Sequence, residues 1–214
     1  TARDARIKVV YRPENGHISA ATNSALALAT GAFAAFLDHD DMLADHALYM
    51  VAAVIDEHRH ADVIYSDEDI VDPLGKLLRP RFKPGWSPDY FRICNYIAHL
   101  TVIRMGILRA IGGLRLEIQG AQDHDVLLRS IEQTTGKEIY HIPHILYHWR
   151  AHFLSVTVHV RAKPYTIEAS RQLIEDMVQR QALDIEKLVP NVLPYLHRIR
   201  YRLPEPAPLV SVIV

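Results

Sequence analysis

Short apolar runs alternate with helix-like segments along the first two-thirds of the chain. Strand-like runs lie at residues 7–11, 32–37, 63–65 and 97–103, and apolar residues at helical spacing occur at 18–29, after Asp45, and at 123–134. Such alternation is typical of crossover units, in which helices cover the faces of a sheet. The pattern therefore predicts an α/β fold.

The chain changes character beyond Pro164. Apolar residues at helical spacing predict an amphipathic helix to about residue 183. The prolines of segment 204–208 predict a semi-rigid linker, and the β-branched run 209–214 predicts a further strand. Earlier in the chain, the proline-rich stretch 73–88 predicts an ordered loop or hairpin over the sheet, and Gly112-Gly113 predicts a turn.

Composition limits the range of functions. The 214 residues, 49% of them hydrophobic and 23% charged, suffice for one well-cored domain with an appendage. The net charge of −1 gives no reason to expect a nucleic-acid partner. The single cysteine, Cys94, excludes an internal disulfide framework and a cysteine-based zinc site. No apolar run reaches the roughly 20 residues of a spanning helix, so we expect a cytoplasmic protein.

Acidic residues cluster directly after the strand-like run 32–37, at Asp38, Asp40 and Asp41. Ligands bind at the carboxyl ends of strands in open α/β sheets, and residues two apart on a strand face the same side. Asp38 and Asp40 could thus hold Mg²⁺ or Mn²⁺, which would in turn hold a phosphate. An equally good local interpretation is that Asp41 or Asp45 caps the following helix.

A second acidic site lies at Asp123, where Gly120 precedes a predicted helix. The backbone N–H groups at a helix start stabilise an ionised carboxylate, which makes Asp123 a candidate general base. For an isolated motif, a simple helix-capping role is the stronger interpretation.

Four histidines recur at near-helical spacing: His141, His144, His148 and His152. Pro143 and the β-prone residues around it favour a strand, on which these histidines do not share one face. A four-histidine zinc site is therefore not expected. His148 alone remains a candidate third metal ligand.

Two further patterns suggest other functions. His39-Asp40 and His124-Asp125 match the His-Asp pair of the metal-dependent HD-type phosphohydrolases, but that pair lies on helices, whereas His39-Asp40 follows a strand. The basic segment 197–202 suggests contact with phosphate-bearing lipid or with nucleic acid, and a lipid contact would be peripheral, at the inner face of the cell membrane. A solvated face beside a linker is the stronger interpretation of that segment.

The order of several motifs resembles the family 2 glycosyltransferases of the GT-A fold, particularly those of bacterial surface-polysaccharide and O-antigen synthesis. The resemblance covers about residues 5–160. The matching segments are Asn15–Asn23, Phe36–Asp41, Ile64–Asp69, Phe82–Ser87, Ile111–Arg115 and Leu146–Arg150. This ordered combination is more specific than any single motif.

The resemblance implies a GT-A (Rossmann-like) mixed sheet with flanking helices and a metal-dependent, inverting sugar transfer from a nucleotide-diphosphate sugar. Asp38, Asp40 and His148 would hold Mn²⁺ or Mg²⁺ on the donor diphosphate, and Asp123 would be the catalytic base. Asn23, Asp38 and Arg150 would contact the donor. On the donor or acceptor side, the resemblance adds Asp67, Glu68 and Trp86. The acceptor would be a saccharide or a lipid-linked saccharide.

The resemblance also implies an organisation and some departures from it. Residues 1–160 would be a GT-A domain that lacks its nucleotide-binding start, residues 161–203 a helical extension, and residues 204–214 a linker and the first strand of a second glycosyltransferase domain. Without that start, a non-catalytic sugar- or metal-binding fragment is the alternative. Gln122 stands where the family often has Glu. The Gln-x-x-Arg-Trp signature of processive members is absent, so transfer of a single sugar is expected.

Overall fold

A computed structural model describes residues 4–150, 164–191, 193 and 196–213. The helices in these ranges are α1 (His17–Leu28), α2 (Ala47–Glu57), α3 (Pro88–Ile93), α4 (Met105–Ala110), α5 (Gln122–Ile131) and α6 (Pro164–Arg180). The strands are β1 (Phe33–Phe36), β2 (Met42–Leu43), β3 (Val63–Val71), β4 (Leu77–Arg81), β5 (Thr101–Arg104), β6 (Ile139–Arg150), β7 (Ile185–Pro190) and β8 (His197–Tyr201). None of these helices is both long and apolar enough to cross a membrane.

Within the described ranges, six strands form one mixed sheet in the order β1-β5-β3-β6-β2, and β4 pairs with the second half of β3. β3 and β6 run parallel, whereas the pairs β1–β5, β3–β5 and β2–β6 are antiparallel. Strands β1, β3 and β6 consequently share one direction. Their carboxyl ends meet at one edge of the sheet, which is where the acidic turn after β1 lies.

Helices cover both faces of this sheet, because alternate residues of a strand point to opposite sides. Val63 and Tyr65 of β3 belong to a buried cluster that includes Leu173 of α6 and residues of α4 and α5. Ile64, between them, belongs to a second buried cluster that includes Val51 of α2. The mixed sheet with flanking helices predicted from the sequence is therefore present.

The prediction that a strand ends at residue 65, before the acidic segment 66–69, is wrong. β3 continues to Val71 and pairs with β6 along its whole length. Asp67, Glu68 and Asp69 lie inside this strand and are at most 3% exposed. Basic and imidazole groups from neighbouring segments bond these carboxylates, so the carboxylates do not have to reach solvent.

Two other local predictions are also wrong. Residues 7–11 form no strand, because no described strand pairs with them and they remain exposed. α2 begins after His46 without a side-chain cap, so neither Asp41 nor Asp45 caps it. Residues 209–213 are exposed and unpaired among the described residues, and their role as the first strand of a second domain stays a prediction.

The predicted extension after residue 160 is helical only in its first half. α6 confirms the predicted amphipathic helix, and its residues Leu173, Ile174 and Met177 are buried. Beyond it, β7 and β8 form an antiparallel hairpin in place of further helix. Ile199 of β8 joins the same buried cluster as α6, so the extension packs on the main core.

Candidate active site

The acidic turn after β1 is held by the side chain of Tyr147 on β6. The Tyr147 hydroxyl accepts a hydrogen bond from the Asp38 N–H at 3.2 Å and donates one to Asp41 Oδ2 at 2.6 Å. Burial raises the pKa of Tyr147, so this hydroxyl keeps its proton and remains a donor. Asp41 Oδ1 also accepts the backbone N–H of Arg150 at 2.8 Å. β6 therefore fixes the position of the turn.

Asp38, Asp41 and His99 each offer one ligand atom, and these atoms lie within 4.8 Å of one another. The His99 ring stacks on the Tyr147 ring, with centroids 4.6 Å apart and an interplanar angle of 15°. Desolvation raises the pKa of Asp41, and its hydrogen bond from Tyr147 opposes that rise. Carboxylate oxygens suit Mg²⁺ and Mn²⁺, and an imidazole adds affinity for transition ions, so the set as a whole fits Mn²⁺.

His99 is positioned by a buried ion pair between Glu68 on β3 and Lys83. The backbone N–H of His99 donates to Glu68 Oε2 at 3.2 Å, and Lys83 Nζ donates to the backbone carbonyl oxygens of Ile97 and His99. Glu68 and Lys83 pair at 3.2 Å with side chains 2% and 5% exposed. Desolvation lowers the pKa of Lys83, and the charge of Glu68 opposes that change. The pair ties the loop that carries His99 to the centre of the sheet.

Asp123 lies in the first turn of α5, close enough to Asp38 and His99 for both to influence its pKa. Asp123 is exposed as a residue, and partial desolvation by the neighbouring protein is the largest cause of a raised pKa of its carboxyl. The Asp38 charge raises the pKa further, whereas His99 and a hydrogen bond from Gln122 lower it. The predicted base and the acidic turn thus belong to one site.

The turn before Asp123 is held by Gln122, the residue that departs from the family pattern. Gln122 Oε1 accepts the Gly120 N–H at 2.7 Å, and its Nε2 donates to Asp123 Oδ2 at 3.4 Å. A carboxylate at this position could accept the first bond but could not donate the second. Gly120 has φ +82°, and a Cβ there would lie 2.5 Å from Thr166 Cγ2. The amide therefore orients the carboxylate of Asp123.

The side chains of His124 and Asp125 both bond to other groups of the protein. His124 Nε2 donates to the Phe91 carbonyl at 2.7 Å. Asp125 is 1% exposed and forms ion pairs with Arg115 and Arg129. Both side chains are bound by protein groups, so the geometry does not favour the phosphohydrolase interpretation.

His148 and Asp40 lie near the cluster without joining it. His148 Nδ1 donates to Asp69 Oδ1 at 2.7 Å, which leaves Nε2 as its ligand atom. A carboxylate that orients a histidine in this way is common at metal sites. The Asp40 carboxylate lies 3.6 Å from His39 Nδ1, and its carbonyl accepts Arg150 Nε at 2.9 Å. Metal ligation by Asp40 and His148, and donor contact by Arg150, stay predictions.

The other predicted site residues make contacts inside the protein. Asn23 on α1 brackets the backbone of Leu114, donating to its carbonyl and accepting its N–H at 2.8 Å each. Asp67 Oδ1 accepts the Lys83 N–H and a bond from His141. Trp86 is half-buried, with its ring centroid 5.5 Å from that of Phe91. Substrate contacts by Asn23, Asp67, Glu68 and Trp86 stay predictions.

Sequence reasoning did not identify His99 or Tyr147. Tyr147 lies within the matched segment Leu146–Arg150, where an aromatic hydroxyl beside His148 was the available signal. His99 offered no comparable signal, because only the fold brings the loop before β5 to the end of β1.

The sequence of this chain matches a protein family and is similar to longer proteins. The profile of glycosyl transferase family 2 matches residues 1–112. An uncharacterized protein, y4gI of Sinorhizobium fredii, is 42% identical over 213 residues, which cover 100% of this chain and 23% of that protein. The O-antigen biosynthesis protein RfbC of Myxococcus xanthus is 35% identical over 212 residues, covering 99% of this chain and 16% of that protein. The chain thus spans less than a quarter of the length of these relatives.

Solved structures share the fold. TarS of S. aureus in complex with UDP-GlcNAc aligns with a TM-score of 0.55 at 20% identity, covering 76% of this chain and 47% of that one. The mannosyltransferase PcManGT of Pyrobaculum calidifontis, in complex with GDP-Man and Mn²⁺, aligns with a TM-score of 0.54 at 16% identity, covering 79% and 47%. The predicted GT-A architecture is confirmed.

Proposed function

Because this chain belongs to glycosyl transferase family 2, we propose that it transfers a sugar from a nucleotide-sugar donor to a hydroxyl of a saccharide or lipid-linked acceptor. We propose in addition that the transfer inverts the anomeric carbon, depends on a divalent metal and serves cell-surface polysaccharide synthesis. One observation carries the proposal: Asp123 on α5 lies beside a cluster of two carboxylates and an imidazole at the end of β1.

The cluster fits a divalent ion that binds a diphosphate. Asp38, Asp41 and His99 would hold such an ion, and Asp40 and His148 form the alternative set predicted from the sequence. When bound, the ion would neutralise the charge of the leaving nucleoside diphosphate. The hydrogen bonds of Tyr147 to both ends of the turn would keep Asp38 and Asp41 in place while the diphosphate charge develops.

Asp123 would act as the general base. Its carboxylate would accept the proton of the acceptor hydroxyl as the hydroxyl oxygen attacks the anomeric carbon from the side opposite the leaving diphosphate, so the configuration inverts. A raised pKa improves this base, because proton transfer is most effective when the pKa approaches the working pH. Gln122 would orient the carboxylate through its Nε2 donor.

The relatives support the choice of substrates. The two structural neighbours were solved with UDP-GlcNAc and with GDP-Man and Mn²⁺, and the RfbC relative is an O-antigen biosynthesis protein. A nucleotide-sugar donor, Mn²⁺ and a saccharide acceptor follow as proposals for this chain.

The experiment measures release of nucleoside diphosphate from UDP-GlcNAc and GDP-mannose in the presence of Mn²⁺. We expect Asp123→Asn to lower turnover by roughly 10²–10⁴-fold, because the amide cannot accept the proton, while donor binding by calorimetry is retained. Asp45→Asn is the matched control, because Asp45 is an exposed acid outside the site and should leave turnover unchanged.

Turnover by Asp123→Asn within a factor of about three of wild type would overturn the assignment of the base. Donor binding with no turnover in the wild-type protein would instead support the non-catalytic sugar-binding alternative. Phosphate release from a phosphomonoester without any sugar donor would support the phosphohydrolase.

A further inference from the structure

The hairpin formed by β3 and β4 carries an unusual concentration of exposed apolar side chains. Leu74, Leu77, Leu78 and Phe82 are 93%, 61%, 54% and 75% exposed. Four of the five residues of β4 are exposed, so both faces of this strand meet solvent. Exposed apolar side chains grouped on one protruding element mark an interaction surface more often than isolated ones do.

Cations accompany these apolar residues. Among the described residues, neither Lys76 nor Arg79 forms a salt bridge, and both are exposed. Asp72, at the turn of the hairpin, uses Oδ1 to accept the N–H groups of Leu74 and Lys76 at 2.8 Å and 2.9 Å, which closes the turn. The free cations of the hairpin are therefore not neutralised by the Asp72 carboxylate.

In the basic segment 197–202, two of the three arginines form ion pairs, and Arg198 alone of the three forms none among the described residues. Arg200 pairs with Glu186 at 2.7 Å, and Arg202 pairs with Asp184 at 3.0 Å. Ile199 is buried in the main core, so it cannot insert into a partner. A lipid contact, suggested but not favoured at 197–202 from the sequence, finds better support at the β3–β4 hairpin.

We propose that the β3–β4 hairpin docks on an anionic lipid bilayer, with Leu74, Leu77, Leu78 and Phe82 entering the interface and Lys76 and Arg79 contacting lipid phosphates. An interfacial segment needs this combination of apolar and basic groups without exposed acids. Addition of a strand from another protein is disfavoured, because Pro80 lacks an N–H and the cations flank the free edge of β4.

The hairpin is joined directly to the site. Arg81 of β4 pairs with Glu68 at 3.1 Å, and its guanidinium lies 5.0 Å from the centre of the Trp149 ring on β6. Docking would therefore place the bilayer surface next to the strands that carry the acidic turn and His148. A lipid-linked acceptor would then reach the site from this side, a consequence that rests on the proposed function. The docking of the hairpin on the bilayer does not rest on the proposed function.

The test is cosedimentation of the protein with vesicles of phosphatidylglycerol and phosphatidylcholine, and with vesicles of phosphatidylcholine alone, without donor or metal. We expect binding to the anionic vesicles that weakens with salt. Lys76→Gln/Arg79→Gln should lower the partition coefficient by about thirtyfold, because each cation near the surface contributes about fivefold. Leu77→Ser/Leu78→Ser should lower it at least about tenfold.

The matched control is Leu48→Ser/Tyr49→Ser, which removes two apolar side chains of α2 that are 62% and 74% exposed. This control should bind like wild type. Absence of vesicle binding, equal loss in the control, or binding that depends on the cations but not on Leu77 and Leu78 would each overturn the proposal. Because the assay contains neither donor nor metal, its failure would leave the proposed transferase activity untouched.

Discussion

At the scale of single residues, Tyr147 organises the site through one hydroxyl and one ring. The hydroxyl joins Asp38 to Asp41, and the ring supports His99. A tyrosine can do this because it combines an apolar body, which packs against the sheet, with a polar end that bonds two partners. Its removal would be expected to loosen every member of the cluster together.

The affinity for Mn²⁺, measured from the electron paramagnetic resonance signal of the free ion, tests the cluster directly. We expect His99→Ala and Asp41→Asn each to weaken Mn²⁺ binding by at least about tenfold, because each removes one of three converging ligands. Tyr147→Phe should weaken it by a smaller factor, because the ligands remain but lose their orientation.

The comparison variants are Asp40→Asn and His148→Ala, which alter the ligand set predicted from the sequence. These variants should retain near-normal affinity if the ion binds to Asp38, Asp41 and His99. The reverse pattern, loss in Asp40→Asn and His148→Ala with retention in His99→Ala, would place the ion on the set predicted from the sequence.

At the scale of elements, α1 is joined to the turn that follows α4. Asn23 of α1 brackets the Leu114 backbone, and Gly113 precedes it with φ +72°. A Cβ at Gly113 would lie 2.5 Å from Asn23 Oδ1, so the close approach requires glycine. The same turn leads through Arg115 into the Asp125 ion pair of α5, and so supports the helix that carries Asp123.

Substitution of two glycines isolates this contact. We expect Gly113→Ala to lower the free energy of unfolding by about 1–3 kcal/mol more than Gly75→Ala does. Both glycines have positive φ and share the backbone cost, but a Cβ at Gly75 meets nothing within 4 Å. Urea unfolding measures the difference. In an Asn23→Ala background the excess should vanish, and an excess that persists would show that the contact with Asn23 is not its cause.

At the scale of the whole molecule, stability depends on ionisable groups held inside the fold. Burial lowers the pKa of His124 to about 4, while its bond to the Phe91 carbonyl opposes that shift. The ring is therefore neutral in the folded protein over a pH range in which it is charged in the unfolded chain. Folding then releases a proton, and acid favours unfolding.

The sign of the pH effect follows from this linkage. Above pH 7 both states carry neutral His124, so its contribution is fully present, and it is lost as the pH falls from the unfolded value near 6.5 toward about 4. Between pH 7 and 5 we expect this residue to account for about 2 kcal/mol of lost unfolding free energy. Urea unfolding at both values should show a smaller loss in His124→Asn.

The control for this measurement is His39→Asn, because the His39 side chain is 96% exposed in the folded protein. The unfolding free energy that His39→Asn loses between pH 7 and 5 should match the loss in wild type. An equal loss in His124→Asn and wild type would show that other groups cause the acid sensitivity.

The sequence by itself determined the α/β class, α1, α5, α6 and the turn at Gly112-Gly113, because periodicity and glycine positions act locally. It also placed Asp38 in the turn after β1 and Asp123 at the start of α5, two segments that lie side by side in the fold. It did not reveal that Asp67, Glu68 and Asp69 lie inside β3, because their partners Lys83, His141 and His148 come from distant segments.

Only the tertiary structure decided which groups share the site. Tyr147 and His99 belong to it because the parallel pairing of β3 with β6 and the buried Glu68–Lys83 pair bring their segments to the end of β1. The basic residues of the β3–β4 hairpin and of segment 197–202 likewise look similar in the sequence. Only the fold shows that, among the described residues, Lys76 and Arg79 form no ion pairs, whereas Arg200 and Arg202 pair with Glu186 and Asp184. Local patterns specify elements, whereas long-range contacts specify which side chains can act together.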